Sequence, residues 1–154
     1  MSNVLVMFQA DSEQTEQLAL AVAVGAVEAE ASIRLRRLAA HGAIEVGHKG
    51  YGKLQTTDLL WADTVIVGLE SPTPRAEELE GLLSLLGEVD PIQFEGKKAW
   101  TFGPAGLTGR SEAQIFVESA LRVAGLTVLP MAIPSTGNGD LIDRMKEAGR
   151  FLAK

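Results

Sequence analysis

Between Asn3 and Ala19 an apolar run, Val4 to Phe8, gives way to a short polar loop that opens directly into a helical pattern near Glu13. A strand that delivers a polar loop to a helix N-terminus gathers backbone N–H groups and the positive end of a helix dipole around one point. That construction suits an anion, phosphate above all.

The rest of the chain repeats the strand-then-helix pattern, the signature of an α/β domain with a mostly parallel sheet. Strands are predicted at Val4–Phe8, Ala31–Leu38, Asp63–Leu69, Lys97–Phe102 and Leu126–Ile133. Helices are predicted from about Glu13 to Glu28, from Thr56 or Thr57 through Trp61, over Arg75–Leu86 and Ser111–Ala124, and from about Asp140 to Leu152. Apolar residues recur at helical spacing in each long helix: Leu18, Val22, Gly25, Ala26 and Ala29; Ala76, Leu79, Leu82, Leu83 and Leu86; Ala113, Phe116, Ala120, Leu121 and Ala124; Leu141, Met145, Ala148 and Leu152. The second strand alternates Ile33 and Leu35 with Arg34, Arg36 and Arg37, and the fifth contains Pro130; both features suit sheet edges. With those two strands outermost the order is 2-1-3-4-5. A ligand crevice is then expected at the carboxyl ends of the first and third strands, lined by Gln9–Thr15, Glu70–Arg75 and Gly103–Gly109.

Composition narrows the function. One domain over residues 1–154 is long enough to bury a core, and 46% apolar residues exclude a disordered chain. A net charge of −6 argues against nucleic acid, whose binding rests on Lys and Arg. The absence of cysteine excludes disulfides and thiolate chemistry, and fits a cytoplasmic protein. Leu18–Val27 has the look of a signal-peptide core, but no Lys or Arg precedes it and it is too short to cross a bilayer, so a buried helix is expected and no membrane insertion. His41 and His48 stand in a glycine-rich segment with Glu45 as the one nearby carboxylate, so no metal site is expected. No catalytic triad order or zinc-protease spacing is present, and no catalytic residue is assigned. Trp61 and Trp100 lie in apolar surroundings and are expected in the core.

The loop Ala10-Asp11-Ser12-Glu13-Gln14-Thr15 resembles the phosphate loop of short-chain flavodoxins, Ser/Thr-x-Thr-Gly-x-Thr, with Ser12, Thr15 and the following Glu16 in register. Ala10 and Glu13 depart from it, standing where the family has a hydroxyl and a glycine. Asp63–Gly68 is similar to the family's third strand, which also ends in glycine, and Ser71-Pro72-Thr73 resembles the Pro-Thr element of the flavodoxin-like quinone reductases. Gly96–Gly103 is similar to the fourth strand and the start of its loop. The resemblance spans Asn3 to Lys154 and implies a flavodoxin-like three-layer sandwich. It implies FMN as cofactor, for an electron carrier or an NAD(P)H-dependent quinone or FMN oxidoreductase, with NAD(P)H, a quinone or a redox protein as partners. Carried onto this chain, Ala10, Asp11, Ser12, Glu13, Gln14 and Thr15 would hold the phosphate. Ser71, Pro72 and Thr73, with Gly103, Pro104, Ala105, Gly106 and Gly109, would border the ring.

Two readings stay open at this point. Ser12 and Thr15 serve equally as helix caps, and Glu13 with Asp11 sets negative charge beside a dianion. Neither Glu70–Arg75 nor Gly103–Gly109 offers an aromatic ring for stacking. FMN is therefore expected to bind more weakly than to a complete loop. The alternative is a domain of the same fold that has lost flavin and works as a binding or regulatory module.

Overall fold

Strand β1 (Asn3–Gln9) is buried on both faces: Val4, Val6 and Phe8 point into one apolar layer, Leu5 and Met7 into the other. That double burial is the mark of a parallel sheet covered by helices on each side. A computed structural model describes residues 2–9, 13–38, 52–74, 76–103, 111–129 and 141–153. After β1 come α1 (Glu13–Glu28), β2 (Ser32–Leu38), β3 (Gly52–Lys53), α2 (Thr56–Trp61), β4 (Thr64–Gly68), α3 (Ala76–Glu88) and a 3-10 turn (Pro91–Phe94). They are followed by β5 (Lys98–Phe102), α4 (Glu112–Ala124), β6 (Thr127–Val128) and α5 (Leu141–Leu152).

All strand pairs are parallel, and the order is β3-β2-β1-β4-β5-β6. The five predicted strands thus stand in the order 2-1-3-4-5, with Val65 central between Leu5 and Ala99. One expectation is corrected: β2 is not the outermost strand, because Gly52 and Lys53 pair with Arg36 and Arg37. Its arginines are not edge guards. Arg34 and Arg36 reach off the sheet face to Asp58 at 3.1 and 2.9 Å, and the Arg34 guanidinium lies 4.3 Å above the Trp61 ring. Trp61 is accordingly half-buried, whereas Trp100 is in the core as expected. Of the fifth predicted strand, β6 forms the described part, and Pro130 lies outside the described residues.

Helices α1 and α5 cover one face of the sheet, and α2, α3 and α4 the other. α1 and α5 touch backbone to backbone: a Cβ on Gly25 would come 2.0 Å from the Lys146 carbonyl oxygen, and one on Gly149 would come 2.1 Å from that of Val22. On α4 the buried row is Ala113, Val117, Leu121 and Ala124. Phe116, predicted to face inward, is 42% exposed, because the row centred on Val117 and Leu121 already meets the sheet. Gly125 ends α4 with φ of 114°, the left-handed cap expected there. No helix among the described residues is long and apolar enough to cross a membrane.

Candidate functional site

From β1 the chain moves outward to β2 on one side, and β4 continues to β5 on the other, so the sheet order reverses between β1 and β4. Crevices for ligands open at such a point, beyond the carboxyl ends of the strands. The last residue of β1, Gln9, is 1% exposed and holds the crevice together. Its Oε1 accepts the backbone N–H groups of Glu70 and Ser71 at 2.6 and 3.3 Å, and its Nε2 donates to Glu78 Oε2 at 2.8 Å. One carboxamide therefore ties the end of β1 to the loop after β4 and to the first turn of α3.

That loop is ordered from within as well. The Thr73 N–H donates to Ser71 Oγ at 3.3 Å, and the two hydroxyls lie 3.2 Å apart. Ser71 is buried, while Pro72 and Thr73 are exposed. The Pro72 carbonyl accepts the Ala113 N–H at 3.0 Å, which fixes the loop against the start of α4. Gly68, the glycine that ends β4, has its partner Phe102 on its open side: a Cβ there would sit 2.3 Å from the ring.

Beyond β5, Gly103 and Ser111 frame the next loop. Ser111 and Gln114 form a reciprocal cap, the Gln114 N–H donating to Ser111 Oγ at 3.2 Å and the Ser111 N–H to Gln114 Oε1 at 3.0 Å. The Gln114 amide also occupies the space beside Gly103, where a Cβ would come 2.4 Å from Oε1. Glycine at this position thus admits the Gln114 side chain. Behind it, Gln114 Nε2 donates to Thr101 Oγ1 at 3.4 Å, and Thr101 Oγ1 donates to the buried Glu118 Oε2 at 2.7 Å.

The third wall is the first turn of α1, whose N–H groups have no intrahelical acceptor. Glu13 and Gln14 are exposed there and Thr15 is buried. Ala10, Asp11 and Ser12 lie outside the described residues, as do Arg75, Pro104, Ala105, Gly106, Gly109 and both histidines. The first turns of the two helices that begin at this end are acidic, with Glu13 and Glu16 on α1 and Glu77 and Glu78 on α3. Among the described residues no group of three or more His, Asp or Glu is placed to hold a metal ion.

The arrangement offers backbone donors and the buried Thr15 in the first turn of α1, and a loop after β4 tied to β1 by the Gln9 carboxamide. It holds no nucleophile–base pair among the described residues. Of the residues the sequence points to, Glu13, Gln14 and Thr15 open α1, Ser71, Pro72 and Thr73 lie in the loop after β4, and Gly103 follows β5. The tying roles of Gln9, Gln114 and Glu78 carry no signal in the sequence beyond a Gln closing an apolar strand.

No protein-family model matches this sequence, and neither does that of any curated protein. Solved structures do resemble the chain. A short-chain flavodoxin associated with a non-canonical PDU bacterial microcompartment superimposes with a TM-score of 0.69 at 15% identity, over 100% of both chains. The fold is flavodoxin-like. A WrbA-like flavodoxin-fold protein from Agrobacterium tumefaciens gives 0.67 at 20% identity, covering 99% of this chain and 96% of that one. Flavodoxin 2 from Bacillus cereus gives 0.67 at 17% identity, over 99% and 98%. The flavodoxin-like fold therefore accounts for the chain from end to end, and the strands bring the α1 N-terminus to the switch point.

Proposed function

We propose that the chain, as one domain over residues 1–154, binds FMN in this crevice. It would serve in the cytoplasm as an electron carrier or as an NAD(P)H-dependent quinone or FMN oxidoreductase. The observation that carries the reading is the coincidence of the α1 N-terminus with the switch point of a flavodoxin-like sheet. What supports the reading at the phosphate end is the first turn of α1, which follows β1, offers N–H groups and carries Thr15. Ser12, with Ala10, Asp11, Glu13 and Gln14, completes the proposed phosphate loop. Ser71, Pro72 and Thr73, together with Gly103, Pro104, Ala105, Gly106 and Gly109, border the ring. When bound, FMN supplies the one- and two-electron chemistry, and the protein supplies position and electrostatics. Gln9 fixes the Glu70–Ser71 end of the loop after β4 relative to β1, and the Gln114 side chain fills the space beside Gly103. Thr73 is exposed, and its hydroxyl lies 3.2 Å from that of Ser71, either of the two being able to donate.

A specific observation favours the second reading, a binding module without flavin: Glu13 and Glu16 sit in the first turn of α1, and Glu77 and Glu78 in that of α3, so the elements around the crevice are acidic. Titrating FMN fluorescence with the purified protein separates the two. Saturable quenching, lost in Thr15→Ala, is expected. Fluorescence unchanged at every protein concentration would leave the binding-module reading in its place.

A further inference from the structure

α3 and α4 leave a groove of about 540 Å³ between them, on the face of the sheet opposite α1 and α5. Leu83 and Leu86 form one wall, and Phe116, Ala120 and Val123 the other. Val123 is 85% exposed, and Phe116 on the same wall is exposed as well. Large apolar side chains exposed along a groove mark an interaction surface. The wall residues lie beyond the first turns of both helices, whereas the crevice is at their N-terminal ends.

Charge on the rim says what the occupant is. Helical spacing sets Glu80 on the same row as Leu83 and Gly87, and Glu112 on the same row as Phe116 and Val123. Both glutamates are exposed, each about one turn ahead of the apolar wall on its own helix. At the other end α3 finishes with no basic residue in its last turn, so the negative end of its dipole stands beside exposed Glu88 and Asp90. Arg122 is the one cation on the two helices, and it leans on buried Glu118 at 3.6 Å.

We propose that the groove docks an amphipathic helix of a partner protein. Its apolar anchors recur at i, i+3 or i+4 and i+7, and its flanks carry Lys or Arg. A second copy of this chain fits poorly, because it brings a net charge of −6 and the same acidic rim. The inference goes beyond the flavin reading and is tested without FMN. The probe is a labelled synthetic helix of about four turns with Leu anchors and Lys flanks, followed by fluorescence anisotropy, beside a control peptide with Glu flanks. The Lys peptide should bind saturably and more weakly as salt is raised, with the Glu peptide at least about tenfold weaker. Val123→Asp, and separately Glu80→Lys with Glu112→Lys, should each weaken the Lys peptide about tenfold while leaving the melting temperature unchanged. Equal binding of the two peptides, or full binding by Val123→Asp, would overturn the proposal. So would sedimentation showing a dimer that Val123→Asp abolishes, since the occupant would then be a second copy.

Discussion

Gln9 does with a side chain what strand pairing does along the rest of β1. Its carboxamide takes up two N–H groups of a loop that has left the sheet, and a buried amide that loses such partners costs about 1–3 kcal/mol. Glu13 works the other way, for the helix and against an anion. A carboxylate in the first turn favours the α1 dipole, yet opposes a phosphate at the same point by roughly 1 kcal/mol at close range in water. Glu13→Gly is therefore expected to raise FMN affinity about fivefold, read in the same fluorescence titration. An unchanged affinity would mean the phosphate is held elsewhere. Asp58 supplies a pH dependence. Burial opposes its ionisation, but hydrogen bonds from Arg36, the Gln55 N–H and Arg34 outweigh that and hold the carboxyl below its ordinary range. A depressed carboxylate stabilises the fold at neutral pH and loses that contribution as pH falls through its folded value, below about 4. Asp58→Asn should cost roughly 2–4 kcal/mol at pH 7, and the gap to wild type should narrow in urea melts at pH 3. Thr15 and Ser71 were legible in the sequence because hydroxyls at a helix start and after a strand belong to known local patterns. Gln9 and Gln114 were not, because their worth depends on groups brought close only by the fold; Gln9 and Ser71 are 62 residues apart.

At the scale of elements, α1 and α5 form the tightest contact of the fold, and the glycines there are a matter of space. Alanine is ordinarily the better helix former by about 1 kcal/mol. Gly149→Ala should nevertheless destabilise by about 1–3 kcal/mol, since its methyl would enter the α1 backbone. Gly81→Ala, in α3 with nothing within 4 Å of the added carbon, should stabilise by about 0.5–1 kcal/mol. Thermal melts of the pair should move in opposite directions; two shifts of the same sign would refute the close-contact account. The long helices and main strands were readable from periodicity, which reports which residues share a face. Periodicity does not report how much of that face is covered, so Phe116 was placed inside when the adjoining row on Val117 and Leu121 does the burying. β3 was missed because a two-residue strand of Gly52 and Lys53 carries no pattern at all.

For the molecule as a whole, the sign of the field decides how ligands arrive. A net charge of −6 repels FMN before any contact forms, and added salt screens that repulsion over about 10 Å or less. FMN affinity should accordingly rise several-fold between low salt and about 0.5 M salt, measured by titration at fixed pH. A fall would show that attractive contacts from Lys or Arg dominate the site.

The same contact between α1 and α5 bears on how the chain is made. Synthesis releases α1 well before α5, so a nascent chain carries the apolar face of α1 and its side of β1 uncovered until α5 has emerged. Among the described residues the opposite layer draws on nothing beyond Val128 and can close first. In pulse-labelled refolding, amides of β4 and β5 should gain protection before those of α1; simultaneous protection would contradict this order. During that interval the chain is a half-covered sheet, and its Val4–Phe8 strand is the stretch a chaperone would find.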